Sequence, residues 1–338
     1  MYASKTLRKA CLLLAMLPLF LCLFSVQGAD AAPLRVALLL ESDANDDGAA
    51  ALLKQGLAKA GTQADIAASI VICPPDADQT ALFRKAAENN DLVLLFEPRL
   101  HMILRDNAAN YRKVSFGCID TGVRAPNIMS ITFADEQPAF LAGAMSALLL
   151  AKGQKLGWLE DEEGPVHDTM LAAFIQGAQV QNPDVRILRR QLGAAGDAQK
   201  ILQEFSAQNV GAAALAAGYR TPAVLSALKG TSLLAVGTDA EHFADADTLV
   251  PFSVVKRYDK ACEELVLAKA RGAFAGKKIL TYDLANGGVD FVINAAYKKQ
   301  KGLPASVERR VQELRHELAA GTIKLEDKRI GTLCDCLD

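Results

Sequence analysis

The chain has 338 residues, of which 51% are hydrophobic, so it can form one large domain or two of ordinary size. Its 37 Lys and Arg residues nearly balance its 39 Asp and Glu residues, for a formal net charge of −2 at pH 7. A surface that binds nucleic acid needs clustered basic residues, so this balance argues against such a partner.

The N-terminal segment has the pattern of an export signal. Three basic residues, Lys5, Arg8 and Lys9, precede an apolar run over residues 10–26, and small residues follow up to Ala31. This order predicts a secretory signal peptide over residues 1–31, with cleavage after its last alanine. The alternative is an uncleaved membrane anchor, because the apolar run is close to the minimum length that spans a bilayer. In either case we expect an exported, periplasmic protein, free or membrane-associated.

Strands alternate with helices along most of the remaining chain. In the first half, apolar runs predict strands at residues 34–40, 66–72, 91–96, 114–119 and 129–133. In the second half, they predict strands at residues 155–159, 185–188, 212–216, 233–236 and 251–255. Helices are predicted between them at residues 49–60, 80–89, 169–181, 198–208 and 222–229. The alternation indicates an α/β protein with two doubly wound lobes, each a parallel sheet with helices on both faces.

One further helix is predicted after residue 133, and one of its faces is rich in small residues. Phe140, Gly143, Ala144 and Ala147 recur at helical spacing. Small side chains let two backbones approach closely, so we expect this helix to pack tightly against another element.

The stretch at residues 249–260, LVPFSVVKRYDK, changes abruptly from apolar to charged. Its β-branched half predicts a strand, and a helix is expected to begin near Lys256. Because α/β units lie on both sides of it, we interpret this strand as a crossover between the two lobes. The charged turn, with Lys256, Arg257 and Asp259, would then face the gap between them.

Polar residues follow most predicted strands, at the edge where open parallel sheets bind ligands. These strand ends are residues 41–47, Phe96 with Glu97, Asp120, residues 160–163, residues 217–220, Thr238 with Asp239, and Lys256. If the lobes face each other, these loops line one cleft. For Asp47 and residues 160–163, solvated turns are the preferred interpretation, because acidic residues are common in turns.

The sequence has none of the common catalytic motifs. It contains no nucleophile elbow, phosphate-binding loop, zinc-protease motif or dinucleotide fingerprint. Asp43, Asp46 and Glu97 could form a carboxylate pair for acid–base work, but nothing requires it. The histidines are isolated in sequence and are expected to be surface or satisfied residues: His101, His167, His242 and His316. We therefore expect binding without turnover, no catalytic residues, and no metal or cofactor.

Five cysteines follow the signal segment. Cys118 lies in an apolar strand, where a buried thiol is expected. Cys334 and Cys336 are separated by one residue, a spacing that fits neither a zinc knuckle nor a thioredoxin-like pair. An oxidising compartment would permit a disulfide, but the sequence assigns none.

Several segments together resemble one known family. They are FADEQPAFLAG at residues 133–143, NPDVRIL at 182–188, VGTD at 236–239, SVVKRYD at 253–259, NGGVDF at 286–291 and AAGTIKL at 319–325. In this order they are similar to the basic membrane protein family, periplasmic substrate-binding proteins of ABC transporters. SVVKR is the most specific segment. Many members of the family bind purine nucleosides.

The resemblance implies a type I periplasmic binding-protein fold, whose two lobes are joined by three crossings. The crossings would lie near Phe133, at residues 249–252 and at residues 279–282. The implied division is residues 33–132 plus 253–278 for the first lobe, 133–252 plus 279–330 for the second, and 331–338 for a C-terminal tail.

The resemblance also implies a ligand site. In nucleoside-binding relatives, an Asp at the position of Asp239 and a Lys at that of Lys256 hold the ribose hydroxyls. The chain departs from the family at two aromatic positions, where Ala49 and Ala195 stand, and Phe96 or Tyr219 could substitute for one of them. Base stacking on an aromatic side chain is worth about 1–3 kcal/mol. The candidate ligand-binding residues are Asp239, Lys256, Asn45, Asp46, Phe96, Glu97, Asp120, Gly218 and Tyr219.

The expected function is that of an exported solute-binding protein, which captures a small hydroxylated ligand between its lobes and delivers it to an ABC permease. A purine nucleoside is the favoured ligand. The alternatives are a sensor or receptor module of the same fold, a binder of a cationic or polyol ligand, and an exported enzyme. A DNA-binding repressor is disfavoured, because the segment before the first strand is a predicted signal peptide and contains no helix-turn-helix.

Overall fold

The computed structural model describes residues 32–41, 48–161, 164–193, 197–238, 241, 243 and 249–325, without the side chains of Pro165 and Tyr219. The predicted signal peptide with its cleavage site, and the predicted tail at residues 331–338, lie outside these residues. The described residues from Pro33 onwards form one compact unit. Among the described helices, none combines the length and the apolar character needed to cross a bilayer.

The first sheet has six parallel strands in the order β11-β5-β4-β3-β1-β2. The strands are β1 (Leu34–Leu40), β2 (Ile66–Ile72), β3 (Leu92–Leu95), β4 (Ser115–Ile119), β5 (Ile128–Phe133) and β11 (Ile279–Tyr282). In β1 the last five residues are buried, as a strand covered on both faces requires. The switch in strand order falls between β1 and β3, which opens a crevice at their carboxyl ends.

The second sheet repeats this arrangement, in the order β12-β10-β9-β8-β6-β7. Its strands are β6 (Lys155–Glu160), β7 (Ile187–Gln191), β8 (Val210–Ala216), β9 (Leu234–Gly237), β10 (Phe252–Lys256) and β12 (Val289–Ile293). The strands from β7 to β10 are parallel, whereas β12 runs antiparallel to β10. The predicted α/β fold with two doubly wound lobes is confirmed.

Helices cover both faces of each sheet. The helices are α1 (Gly48–Gly61), α2 (Gln79–Asn89), α3 (Pro98–Asn107), α4 (Glu136–Leu149), α5 (Pro165–Gln181), α6 (Ala198–Ala207), α7 (Thr221–Leu228), α8 (Tyr258–Ala270), α9 (Ala295–Tyr297) and α10 (Ala305–Ala319). Helices α1 and α8 cover one face of the first sheet, and α2 and α3 cover the other. Helices α4, α5 and α10 cover one face of the second sheet, and α6 and α7 cover the other. We call these two assemblies the first and second lobes.

Helix α4 packs tightly against α5, as its face of small residues predicted. A β-carbon at Gly143 would lie 1.9 Å from the carbonyl oxygen of Phe174. One at Gly177 would lie 1.9 Å from the carbonyl oxygen of Phe140. Each helix therefore contributes one glycine that lets its backbone contact the backbone of the other helix. Any larger residue at either position must push the helices apart.

The described chain passes between the lobes three times: after Phe133, at Arg257, and over residues 283–288. The second and third passages differ from the expected boundaries. Residues 253–256 were expected in the first lobe, yet β10 pairs with β9 and β12 of the second sheet. Residues 279–282 were expected in the second lobe, yet β11 pairs with β5 of the first sheet. An apolar run predicts a buried strand, but it does not identify the sheet that the strand joins.

Three cysteines in the described part of the chain are buried free thiols: Cys73, Cys118 and Cys262. The expected burial of Cys118 is confirmed, and burial raises the pKa of its thiol to about 12. Such thiols are poor nucleophiles at neutral pH. Cys334 and Cys336 lie outside the described residues.

Candidate ligand-binding site

A buried lysine marks the end of β10, the strand from the charged stretch of the sequence. Lys256 is 6% exposed. Its ammonium Nζ lies 2.9 Å from Oδ2 of Asp120 and 2.8 Å from Oδ2 of Asp135. A lysine ammonium carries three N–H donors, so two carboxylate contacts leave capacity for one more acceptor. We call Lys256, Asp120, Asp135 and Tyr258 the Lys256 cluster.

Asp120 follows β4 directly, at the carboxyl edge of the first sheet. Its φ angle is 69°, a left-handed conformation that is uncommon for a residue other than glycine. In that conformation its Oδ2 accepts hydrogen bonds from Lys256 and, at 2.9 Å, from the hydroxyl of Tyr258. Unusual backbone angles of this kind often occur at binding sites. Asp120 therefore joins the first sheet to a lysine of the second.

Asp135 lies on the first passage between the lobes, just before α4. It is 7% exposed, and its Oδ1 has no hydrogen-bond partner among the described residues. It occupies the N-cap position of α4, but its side chain makes no capping hydrogen bond. The side chain is directed to Lys256 instead. An ionised carboxylate this deeply buried needs that ammonium to offset its lost hydration.

In the Asp135–Lys256 ion pair, burial and the charge of the partner shift the pKa of each residue in opposite directions. Burial raises the pKa of the Asp135 carboxyl to about 7, with Asp120 acting in the same direction and Lys256 acting against it. Burial alone would lower the pKa of Lys256, but the two carboxylates outweigh it and hold that pKa above its ordinary value. Lys256 is therefore cationic at neutral pH, whereas Asp135 titrates near neutrality.

Aromatic rings surround the cluster. The ring of Tyr258 meets Phe96 edge-on at 5.0 Å and Phe133 edge-on at 5.1 Å, and Phe133 in turn meets Tyr282 at 5.6 Å. The ammonium of Lys256 lies 5.6 Å from the centroid of Phe133 and 5.9 Å from that of Tyr258, within cation–π distance. Half-buried Phe96 extends this apolar wall to the end of β3.

The structure brings some of the predicted site residues together. Lys256 and Asp120 are in direct contact, and Phe96 joins them through Tyr258. Glu97 follows Phe96 and precedes α3, where its carbonyl accepts a hydrogen bond from the backbone N–H of His101.

Other predicted residues lie elsewhere. Gly218 follows β8 in the second lobe with a φ of 51°, and a β-carbon there would approach Asp161 to 3.3 Å. Asp239, Asn45 and Asp46 lie outside the described residues, as does the side chain of Tyr219.

Sequence reasoning missed two members of the cluster, Asp135 and Tyr258. Both lie inside segments that carried the family resemblance, FADEQPAFLAG and SVVKRYD. Both also lie where a helix is predicted to begin, and a polar residue is common there without any ligand. Only the fold shows that both are directed to the same buried group.

Glu160, the last residue of β6, differs from the expectation of a solvated turn. Glu160 is 1% exposed. Its carboxylate accepts a hydrogen bond from the indole of Trp158 at 2.9 Å and another from Arg189 at 2.6 Å. Arg189 also reaches Asp168 at 2.9 Å. Glu160 is thus a fully paired structural group, which turn statistics could not reveal.

The histidine expectations are met in part. His101 is buried, and its Nε2 lies 3.3 Å from the carbonyl oxygen of Leu95, but its Nδ1 has no partner among the described residues. Burial lowers the pKa of this imidazole, so it is neutral at pH 7. His316 is exposed, and His242 lies outside the described residues. Nowhere in the described ranges do three His, Cys, Asp or Glu side chains converge as a metal site would require.

A cavity of about 620 Å³ lies apart from the Lys256 cluster, between α8 and β11. Its lining includes Tyr282 and charged residues of both signs, among them Lys260, Glu264 and Arg271. None of the cluster residues lines it. We interpret it as an open, solvated groove whose charged side chains have neutral partners, because Lys260 donates to the carbonyl of Gly287 and Glu264 accepts from the hydroxyl of Tyr282.

Comparison with known proteins identifies the family of the chain. The family described as "ABC transporter substrate-binding protein PnrA-like" matches residues 34–327. The ABC transporter nucleoside-binding protein BmpA of Lactococcus lactis subsp. cremoris is 24% identical over 222 residues, which cover 60% of this chain and 63% of that protein. Basic membrane protein A of Borreliella afzelii is 25% identical over 194 residues, which cover 56% of this chain and 58% of that protein. The matched regions thus span about six tenths of these relatives.

Solved structures extend the likeness of the fold. A solute-binding protein of an ABC transporter system from Aeropyrum pernix superposes with a TM-score of 0.74 at 19% identity, over 88% of this chain and 94% of that one. A transcriptional activator of the comK gene from Bacillus halodurans superposes with a TM-score of 0.69 at 17% identity, over 85% and 97%. Identities this low show a common fold alone, and the fold is common to transport and regulatory proteins. The family match decides between them: the chain belongs to the PnrA-like, or basic membrane protein, family of ABC transporter substrate-binding proteins.

Proposed function

We propose that this protein is an exported solute-binding protein that captures a purine nucleoside between its lobes and presents it to an ABC permease. The observation that carries the proposal is the Lys256 cluster, where a cation on the second sheet meets a carboxylate at the edge of the first. A ligand with adjacent hydroxyls suits this arrangement. An ammonium donates to hydroxyl oxygens, and a carboxylate accepts hydroxyl protons.

The aromatic wall supports a ligand that also has a flat, apolar part. Phe96 is half-buried and lies at the end of β3, beside the switch in strand order. Its edge contact with Tyr258 fixes its orientation without covering it completely. We infer that Phe96 supplies a stacking surface in place of one of the two aromatic positions occupied by alanine. Ala49 cannot do so, because it is 5% exposed and packs in the core of the first lobe.

A cationic or polyol ligand is the second candidate, and the charge of the cluster favours it. Two carboxyl groups, those of Asp120 and Asp135, face one ammonium, so acidic groups outnumber the cation in the cluster. Such a site attracts amino or hydroxyl groups and repels phosphates. A polyol would use the same hydrogen bonds without requiring a stacking surface.

A thermal-shift screen of purified mature protein separates these candidates. The ligands are purine nucleosides, free bases, sugars, polyols, amino acids and cationic metabolites, each tested against wild type and Lys256→Met. A ligand at one hundred times its dissociation constant adds about 2.7 kcal/mol to the stability. We expect nucleosides to stabilise wild type and to lose this effect in Lys256→Met. A shift with another class alone overturns the nucleoside assignment.

The permease partner needs a separate test. Members of this family serve ABC transporters, but a sensor module could use the same lobes. We expect genes for a permease and an ATPase beside the gene for this chain, and loss of nucleoside uptake when the gene is deleted. A neighbouring receptor-kinase gene with unchanged uptake would favour the sensor.

A further inference from the structure

We propose that the two carboxylates on Lys256 have different tasks: Asp135 is a positioning residue that holds the ammonium in place, and Asp120 is the partner that exchanges the ammonium for ligand. This inference rests on the proposed ligand site at Lys256. It assigns a role to Asp135, which otherwise has no role in the fold or in the proposed function.

The position of each carboxylate in the chain distinguishes them. Asp135 lies on the first passage between the lobes, and Lys256 ends β10 just before the second passage at Arg257. Their ion pair therefore joins two of the passages. A third link is close by, because the N–H of Ala134 donates to the carbonyl of Tyr282 at 2.8 Å, where β11 ends. Segments that pass between lobes are the pivot of lobe closure, so contacts among them change least.

Asp120, by contrast, belongs to the first lobe. It follows β4 in the middle of the first sheet, whereas Lys256 ends a strand of the second sheet. Any displacement of one lobe against the other changes the distance between these two residues more than the distance from Lys256 to Asp135. The Lys256–Asp120 contact is thus the one that lobe movement and an entering ligand can open.

Burial and hydrogen bonding also support different roles for Asp135 and Asp120. The side chain of Asp135 is 10% exposed, whereas that of Asp120 is 23% exposed. Asp120 keeps the hydroxyl of Tyr258 as a donor when the ammonium leaves it. Asp135 has no second donor among the described residues, so separation from Lys256 would leave a buried charge uncompensated. Separating Lys256 from Asp135 therefore costs much more free energy than separating it from Asp120.

The charged groups that face Asp135 come from three elements. They are Lys256 on β10, Asp120 at the end of β4 and Glu136 on α4. Burial raises the pKa of Asp135 to about 7, so it is largely neutral at pH 6 and largely ionised at pH 8. A neutral Asp135 holds the ammonium less firmly. We expect adenosine affinity to follow its ionised fraction and to fall about tenfold from pH 8 to pH 6.

The test compares Asp135→Asn with Asp120→Asn, a matched pair in which each variant replaces one carboxylate on the same ammonium by an amide of equal size. Adenosine affinity is measured by calorimetry from pH 6 to pH 8 in wild type and both variants. We expect Asp120→Asn to bind more weakly than wild type and to retain the pH dependence. We expect the affinity of Asp135→Asn to be independent of pH over this range. The same pH dependence in Asp135→Asn as in wild type overturns the inference.

Crystal structures of both variants without ligand separate this inference from the nucleoside proposal. We expect Lys256 to remain beside Asp135 in Asp120→Asn and to leave its position in Asp135→Asn. An unmoved Lys256 in Asp135→Asn overturns the positioning role, even if no nucleoside binds. If wild type binds no nucleoside but Lys256 moves as expected, only the ligand assignment fails. Should Asp135→Asn not fold, loss of the Lys256–Asp135 contact in Asp120→Asn overturns the inference.

Discussion

The two lobes have the same strand order, and two buried charge networks, one within the second lobe and one between the lobes, are built differently. In the second lobe, Glu160 ends β6 and both of its oxygens are engaged, by Trp158 and Arg189. In the Lys256 cluster, one oxygen of Asp135 has no partner among the described residues, and Lys256 retains donor capacity. A closed network of this kind stabilises a fold, whereas a network with unused donors and acceptors can bind a ligand.

The edge strands of the two sheets also differ, in whether they carry paired charges. Strand β2 has the sequence IAASIVI, with no charged residue, and four of its residues are exposed. Its counterpart β7 has the sequence ILRRQ, and its two arginines are paired with Glu160 and Glu204. The edge strand of the second sheet is thus fixed by ion pairs, whereas the edge strand of the first sheet has no charged residue with which to form one. The following changes test this division, from the largest expected effect to the smallest.

The closest helix contacts should give the largest loss of stability. Gly143→Ala places a β-carbon 1.9 Å from the carbonyl oxygen of Phe174, so α4 and α5 must separate, and we expect a loss of at least about 3 kcal/mol. Gly56→Ala is the counterpart in the first lobe, 2.2 Å from the carbonyl oxygen of Asp259. Urea unfolding measures both losses.

The ligand affinity should separate the two glycine variants. Gly56→Ala displaces the start of α8, which follows Lys256, and we expect it to weaken ligand binding as well as stability. Gly143→Ala acts within the second lobe, so we expect the folded fraction to bind normally. Equal affinity in both variants would show that the cluster tolerates movement of α8.

Opening the paired network of the second lobe should cost stability without affecting ligand binding. Glu160→Gln removes the buried carboxylate from Arg189 and Trp158 and leaves the guanidinium with Asp168, so we expect a loss of about 2 kcal/mol in chemical unfolding. Arg189 is 20% exposed, which keeps the loss below that of a fully buried pair. A fall in ligand affinity would instead place Glu160 in the binding site.

The Asp135 carboxyl should make stability depend on pH in a defined window. Its pKa is about 7 in the folded protein and about 4 in an unfolded chain, so the folded state binds this proton more tightly. Its contribution is therefore greatest at low pH and is lost as the pH rises from 4 to 7. Relative to wild type, Asp135→Asn should gain about 2 kcal/mol in unfolding free energy from pH 5 to pH 7. A constant difference across this range would contradict the raised pKa.

The smallest expected effect concerns one hydroxyl. Tyr258→Phe removes the donor to Asp120 but keeps the ring contacts with Phe96 and Phe133, so we expect a loss of about 1 kcal/mol in stability. Asp120 should then bind Lys256 more tightly and weaken ligand binding several-fold. Tyr282→Phe is the matched control, because its hydroxyl bonds Glu264 outside the cluster. Equal effects of the two variants on affinity would argue against a role for the Tyr258 hydroxyl.

The periodicity of the sequence was sufficient to predict the fold class and many elements. Strands β1 and β2 have the predicted bounds, because continuous apolar runs of that length occur in strands buried on both faces or packed at an edge. Helix α3 is absent from the predicted elements, because the proline after Glu97 is as common in loops as in the first turn of a helix.

The sequence by itself determined the alternation of strands and helices, the family, and the importance of Lys256, because these depend on local pattern and on motif. Tertiary structure decided the partners of that lysine. Asp120 is 136 residues away in the chain, and a pairing of that range leaves no periodic trace. The same reason applies to the sheet that β10 joins, to the burial of Glu160, and to the position of Asp135 beside Lys256. The energy of a buried charge depends on which groups the fold brings next to it, and the order of residues along the chain does not specify them.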